Sequence, residues 1–171
     1  AQRNIRYYER RLHREFRAVI GRLTAEETGE GLEALFRLHA RRWQSEGQVG
    51  GLATPHAQAF LREVAMLLAG KQQLALFGIR LDGTIQAMLM CFMYRDTAYY
   101  YNGGFEPQLA KYSVGAVLLA HALRGAIEAG MRRWDFLRGE EAYKMQWADP
   151  EQSSWNHRLF LVRATPRALP L

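Results

Sequence analysis

Apolar positions along this chain change period partway through, and the change separates helices from strands. Leu32, Leu35, Phe36, His39 and Trp43 recur at helical spacing and predict an amphipathic helix, opened by a Thr24 to Glu27 capping box and stopped near Gly47. A loop holding Gly47, Gly50 and Gly51 follows. Thr54 and Pro55 then suit the N-cap and first position of a second helix carrying Phe60, Leu61, Val64, Leu67 and Leu68, which Gly70 ends.

Beyond Gly70 the segments become strand-like. Gln73 to Leu81 and Thr84 to Tyr94 are rich in Leu, Ile, Phe and Met, and Asp82-Gly83 between them favours the positive φ of a tight hairpin. The second of these strands is apolar on both faces, which predicts a central place in the sheet. Arg95 and Asp96 turn the chain into a third strand, Thr97 to Gly103. A polar loop from Glu106 to Tyr112 leads to a helix from Ser113 to Ala129, which leaves at Gly130. Arg133 to Leu137 reads as a short strand, Glu140 to Trp147 as a short helix and Trp155 to Val162 as a last strand. Ahead of the first long helix, residues 4 to 12 read as a basic helix and Phe16 to Leu23 as a strand. Two helices, three sequential strands, a strand-helix-strand crossover and a closing strand make an α/β protein with a mixed sheet.

Composition adds boundaries. With 171 residues and 49% apolar content the chain can bury one substantial core, and residues 1–23 are expected to join the 24–163 body in one unit, leaving 164–171 as a tail. The longest uncharged stretches, such as Gly83 to Tyr94, are too short for a membrane span. The single Cys91 sits in an apolar run, reads as a small buried residue and fits a reducing, cytoplasmic setting. No His, Cys, Asp or Glu grouping has metal-ligand spacing, so no metal is expected. Of the net charge of +6, most lies in residues 1–22, where seven Arg face only Glu9 and Glu15. That arm either attracts phosphates or forms a solvated helix face.

The feature with most chemical content is Lys111-Tyr112-Ser113-Val114-Gly115-Ala116. It opens a helix that follows a strand, where free backbone N–H groups and the positive end of the dipole suit an anion, and the small Gly115 and Ala116 admit a bulky phosphate. Ordinary capping and packing would use the same residues. Downstream, charged groups crowd the end of a short apolar strand, from Trp134 to Ala148, and strand ends of this kind are where open α/β sheets bind ligands.

Four segments in this order resemble the GNAT-like acyltransferases of the CelD/BcsL type, with relatives among the Fem aminoacyl transferases. They are Leu35 to Trp43, Asp82-Gly83, Gly104 to Pro107 with Tyr112 to Gly115, and Asp135 to Lys144 with Trp147-Ala148. The resemblance spans about residues 32–148, and the Arg-rich opening is similar to a segment that precedes this domain in the family. Because family members often run to about twice this length, the chain resembles their C-terminal half.

The resemblance implies a GNAT fold, a central mixed and mostly antiparallel sheet with helices on both faces. It also implies acetyl-CoA, or another acyl-CoA, as co-substrate, wedged where two central strands splay apart, with its pyrophosphate on the helix after the third sheet strand. The family favours Gln or Arg, two residues, Gly, one residue, then Gly or Ala in the phosphate loop. Lys111, Val114 and Ala116 fall at those positions here, so Ala116 alone matches outright.

Acyl transfer to an amine needs a neutral nucleophile, a stabilised oxyanion and a proton for the leaving thiolate. Glu140 or Asp135 is the candidate base, backbone N–H groups of the Tyr99 to Gly103 strand the oxyanion site, and Tyr143 the proton source. Lys144 would pair with a phosphate or an anionic intermediate. Each has a structural rival, such as Asp135 capping a turn or Tyr143 packing against Trp147. Trp43, Tyr101 and Arg138 are the candidates for binding the acceptor, a small-molecule or polymer amine, although Trp43 and His39 one turn apart also fit a packed core pair. Two other readings stand beside the acyl-CoA one: an aminoacyl-tRNA donor, with the basic opening on RNA backbone, and a catalytically silent domain serving exopolysaccharide synthesis.

Overall fold

A computed structural model of the chain describes residues 2–45, 47–139 and 141–147, with side chains from residue 4 onward. The order is α1 (Gln2–Glu15), β1 (Ala18–Arg22), α2 (Thr28–Ser45), α3 (Pro55–Ala69), β2 (Leu74–Leu81), β3 (Thr84–Tyr94), β4 (Thr97–Phe105), a 3-10 turn (Pro107–Tyr112), α4 (Val114–Glu128), β5 (Arg133–Asp135) and α5 (Ala142–Met145). The chain divides into two compact units, one running to Leu137 and the other starting at Arg138. The predicted strand Trp155 to Val162 and the tail lie outside the described residues, as does Glu140.

Five strands form one sheet in the order β1-β2-β3-β4-β5, antiparallel up to β4, with β5 parallel to β4. The β4-α4-β5 segment is therefore the expected crossover. Asp82 at φ 49° and Gly83 at φ 87° make the hairpin between β2 and β3. β3 is buried along most of its length and takes the central place its two apolar faces predict.

Two apolar layers sandwich the sheet. Leu32, Leu35 and Leu38 of α2 and Leu61 and Ala65 of α3 close over Leu76, Met88 and Met90 on one face. Phe77 points to the other face, where its ring lies 2.8 Å from the place a Cβ would take on Gly125 of α4. Each fully buried leucine here is worth on the order of 2 kcal/mol. Helix α1 joins α4 through its buried Leu12 and a 2.9 Å pair between Glu9 and His121.

Several boundaries differ from those the sequence suggests. Helix α1 runs past residue 12 to Glu15, which ion-pairs with Arg11 one turn back at 2.8 Å. Helix α2 begins at Thr28, four residues after Thr24. Only the returning half of the capping box forms, the Thr24 N–H donating to Glu27 Oε2 at 2.8 Å. Strand β5 stops at Asp135, because the Leu137 N–H donates to Asp135 Oδ1 at 2.7 Å and Leu137 turns left-handed at φ 56°.

Candidate functional site

β4 has a partner on both sides only at its start. Its pairing with β5 covers Thr97 to Tyr99 against Arg133 to Asp135, and β4 then continues to Phe105. From Tyr100 onward its β5-facing edge has no strand partner among the described residues, so an opening begins where the two strands part. Its register with β3 also slips at this point, Tyr100 facing Cys91 and Asn102 facing Met90, which leaves Tyr101 as the extra residue of a bulge. Bulges re-aim side chains and main-chain groups, and this one lies at the mouth of the opening. The Gly103 N–H is already engaged by Asn102 Oδ1 at 2.8 Å, which removes it from the predicted oxyanion donors.

The chain leaves β4 through the 3-10 turn and enters α4 at Ser113, which is left-handed at φ 50° and makes no side-chain cap. The Val117 N–H donates to the Ser113 carbonyl at 3.0 Å, which starts the helical ladder. By helix geometry the N–H groups of Val114, Gly115 and Ala116 precede that ladder, and the Ser113 hydroxyl does not satisfy them. Ser113, Gly115 and Ala116 are half-exposed while Val114 is buried, so the turn is open to solvent on one side. The Phe105 ring supports Gly115 from below, 3.5 Å from its would-be Cβ.

Tyr112 is turned inward rather than toward the cradle. Its hydroxyl donates to Glu15 Oε2 at 2.5 Å, the Arg11 guanidinium lies 4.4 Å over its ring, and Phe16 packs edge-on at 5.5 Å. The Tyr112 hydroxyl, with help from Arg11, holds the Glu15 carboxyl down at about 2, and the same bond raises the Tyr112 phenol. Lys111 is exposed, its ammonium 5.3 Å from the Tyr112 ring centroid. Of the six predicted cradle residues, Tyr112 and Val114 thus form the buried support, and Lys111, Ser113, Gly115 and Ala116 face outward.

The family model for the acetyltransferase (GNAT) domain matches residues 1–145. The chain belongs to the GNAT acetyltransferase family. This GNAT domain is accordingly an enzyme of the N-acetyltransferase class, with the α/β sheet architecture expected of it. Solved structures agree in fold. An aminoglycoside acetyltransferase from an uncultured soil metagenomic sample, in complex with sisomicin, is 14% identical with a TM-score of 0.60, over 86% of this chain and 97% of that one. The aminoglycoside acetyltransferase AAC(6')-Iy, in complex with a CoA bisubstrate analogue, is 15% identical with a TM-score of 0.54, over 86% and 98%. The ribosomal-protein-S18-alanine N-acetyltransferase from Escherichia coli is 17% identical with a TM-score of 0.54, over 75% and 72%. A search of the curated proteins by sequence gives no match.

The remaining candidates of this GNAT domain are distributed as follows. Asp135 is half-buried at the end of β5, where it caps the Leu137 N–H as its structural rival required. Tyr101 stands 39% exposed on the bulge with its ring 5.0 Å from Phe92. Trp43 is half-buried near the end of α2, and its indole N–H donates to Nε2 of the buried His39 at 2.8 Å. In the unit that begins at Arg138, Tyr143 is half-buried on α5 and the Arg138 side chain is exposed. Lys144 differs from the expectation of a cation held for phosphate. It is buried, donates to the Arg138 carbonyl at 2.7 Å and pairs with Glu141 at 2.8 Å, so two of its three N–H donors are used within its own segment.

Sequence reasoning missed an aromatic cluster where β4 and β5 part. Tyr100 stacks on Trp134 at 6.4 Å and meets Phe136 edge-on at 6.0 Å, and the buried Trp134 indole N–H has no partner among the described residues. The triple tyrosine run was the available signal. Cys91 is fully buried and its thiol is pushed up by that burial, which makes it inert as a nucleophile. A cleft of about 570 Å³ lined by Arg22, Thr28, Gln72, Met93 and Met131 lies by the C-terminal end of α4, the opposite end from the uncapped turn. No helix among the described residues is long and apolar enough to cross a membrane.

Proposed function

We propose that this protein transfers an acetyl or other acyl group from acyl-CoA to an amine, in cell-envelope or exopolysaccharide metabolism as the likeness to CelD/BcsL proteins suggests. The observation that carries the reading is the uncapped first turn of α4, at the end of the strand whose edge opens beyond β5. Amides without a side-chain cap at the positive end of a 15-residue helix suit a pyrophosphate, and Lys111 adds an exposed cation beside them. Ser113, Gly115 and Ala116 leave room for it. Acetyl-CoA laid along the open edge of β4 would bring its thioester toward the Tyr101 bulge, where main-chain N–H groups are suited to take up the charge of a tetrahedral oxyanion. In this reading Asp135 or Glu140 accepts the amine proton directly or through water, and the departing thiolate takes a proton from a general acid, the role the sequence assigns to Tyr143. The ligands bound in two of the similar structures, an aminoglycoside and a CoA bisubstrate analogue, are consistent with a small amine acceptor and this donor.

The structure offers less support to an aminoacyl-tRNA donor. Arg11 and Arg14 share Glu15, and Arg10 Nε donates to the Arg6 carbonyl, so part of the basic opening is paired within α1. The test is a thermal shift with acetyl-CoA against charged tRNA, because a ligand that binds only the folded state raises its melting temperature. Stabilisation by acetyl-CoA together with CoA release on adding an amine supports the proposal. Stabilisation by charged tRNA alone overturns it.

A further inference from the structure

His39 lies on α2 with 3% of its surface exposed. Trp43 decides its tautomer. An indole N–H can only donate, so Nε2 must accept at 2.8 Å, and in the neutral ring the proton sits on Nδ1. Burial, and then the nearby charge of Arg42, depress the His39 pKa and keep the ring neutral. Nδ1 is therefore a donor, and it is buried with no partner. Such a group is costly to leave unmade, and among the described residues only the Trp134 indole shares its condition.

Its position connects it to the proposed chemistry. Gly31, near the start of α2, packs over Leu76 of β2 and Met88 of β3, whereas the His39 main chain rests on Gly104 of β4, 2.7 Å from that glycine's would-be Cβ. Helix α2 thus crosses the sheet and reaches β4 in the stretch that has lost β5. What covers Nδ1 is Gly50, whose would-be Cβ falls 2.7 Å from it and 2.4 Å from the Trp43 ring. The covering segment also carries Gly51 and the left-handed Gly47 at φ 67°. Glycine adopts a wider range of backbone conformations than other residues, so this cover is the segment that has to move for the donor to be reached.

We propose that the His39 Nδ1–H is reserved for an oxygen of the acceptor substrate, so that the amine acylated here carries a hydroxyl near its reacting nitrogen, as an amino sugar does. The inference rests on the acyl-CoA reading above and names the acceptor class for it. Trp43 then acts through His39 as a positioning residue, fixing which ring nitrogen presents the proton.

Two substitutions separate binding from packing. His39→Gln keeps an acceptor near Nε2 for Trp43 and removes the donor, whereas His39→Asn keeps an N–H near Nδ1 and gives up the Trp43 bond. With saturating acetyl-CoA, kcat/KM for glucosamine is compared with that for cyclohexylamine by release of the CoA thiol. His39→Gln is expected to lower the glucosamine-to-cyclohexylamine ratio about tenfold, the worth of one neutral hydrogen bond, and His39→Asn to keep most of it. The reverse order, or equal loss for both amines, marks a purely structural histidine and overturns the inference. Nitrogen-15 imidazole spectra of the wild-type protein, with and without acetyl-CoA, give a readout independent of turnover. Glucosamine is expected to shift the Nδ1 resonance, and no shift in either state overturns the inference as well. Calorimetric binding of acetyl-CoA keeps the two ideas apart: its absence sinks the acyl-CoA reading, whereas its presence without a glucosamine response sinks only the hydroxylated acceptor.

Discussion

The two ends of the proposed site are built in opposite ways. Beneath the α4 turn the buried support is fully engaged: Tyr112 with Glu15, Glu15 with Arg11, and Arg11 over the Tyr112 ring. At the α2 end the buried His39 is coupled to the half-buried Trp43, and its Nδ1 retains a hydrogen that no described residue takes. A cradle for an invariant diphosphate profits from being rigid before the ligand arrives. A wall meeting an acceptor profits from a group that is satisfied only on binding.

The contrast can be broken most strongly at its glycines. Gly104→Ala forces a Cβ to within 2.7 Å of the His39 backbone nitrogen and 2.8 Å of the Leu38 carbonyl carbon, so α2 must lift from the sheet. A loss of about 3 kcal/mol in urea unfolding is expected. Gly115→Ala meets only the Phe105 ring at 3.5 Å, an ordinary contact, and should stabilise α4 by about 0.5 kcal/mol. The added methyl stands beside the orphan amides, however, and acetyl-CoA affinity measured by calorimetry should fall about tenfold. Equal effects of the two substitutions on stability would erase the distinction between a packed and an open end.

Acid sharpens it further. Glu15 is held at about 2 in the fold against an ordinary value of 4.5, so its contribution is complete above 4.5 and disappears as pH falls toward 2. Tyr112→Phe removes the leading cause, and its melting temperature should fall less steeply than that of the wild type across that window. His39 works in a milder range. Its lowered pKa means that protonation favours the unfolded chain, so stability is full above 6.5 and declines as pH drops below it. A scan of melting temperature from pH 7 to pH 5 should be flatter for His39→Gln by a small margin, and an unchanged slope would show that His39 is not kept neutral by the fold.

Local signals proved readable. The Asp82-Gly83 hairpin, the limits of β3 and the Thr54 cap, whose hydroxyl accepts the Ala57 N–H at 3.2 Å, all depend on neighbours within a few residues. Ser113 shows where that legibility ends. As an expected helix opener it should cap α4, yet it is left-handed and caps nothing, and the adjacent Tyr112 is drawn inward by a carboxylate 97 residues away in sequence. The same holds for the site. Which of the six turn residues face outward follows from α1, which side of His39 is unpaired follows from Gly50, and the Tyr101 bulge follows from the β3 register, none of which spacing along the chain encodes. Lys144 read as a reactive cation because its partner, the Arg138 carbonyl, is a backbone atom that no sequence pattern displays.

Only three residues of β5 are fastened to β4, all at one end of the ladder. A seam stitched over so short a length resists sliding but offers little resistance to prying. Whatever enters beyond Tyr99 therefore gains leverage on Trp134 and Asp135, and an occupant's bulk is transmitted straight to the carboxylate proposed to receive its proton.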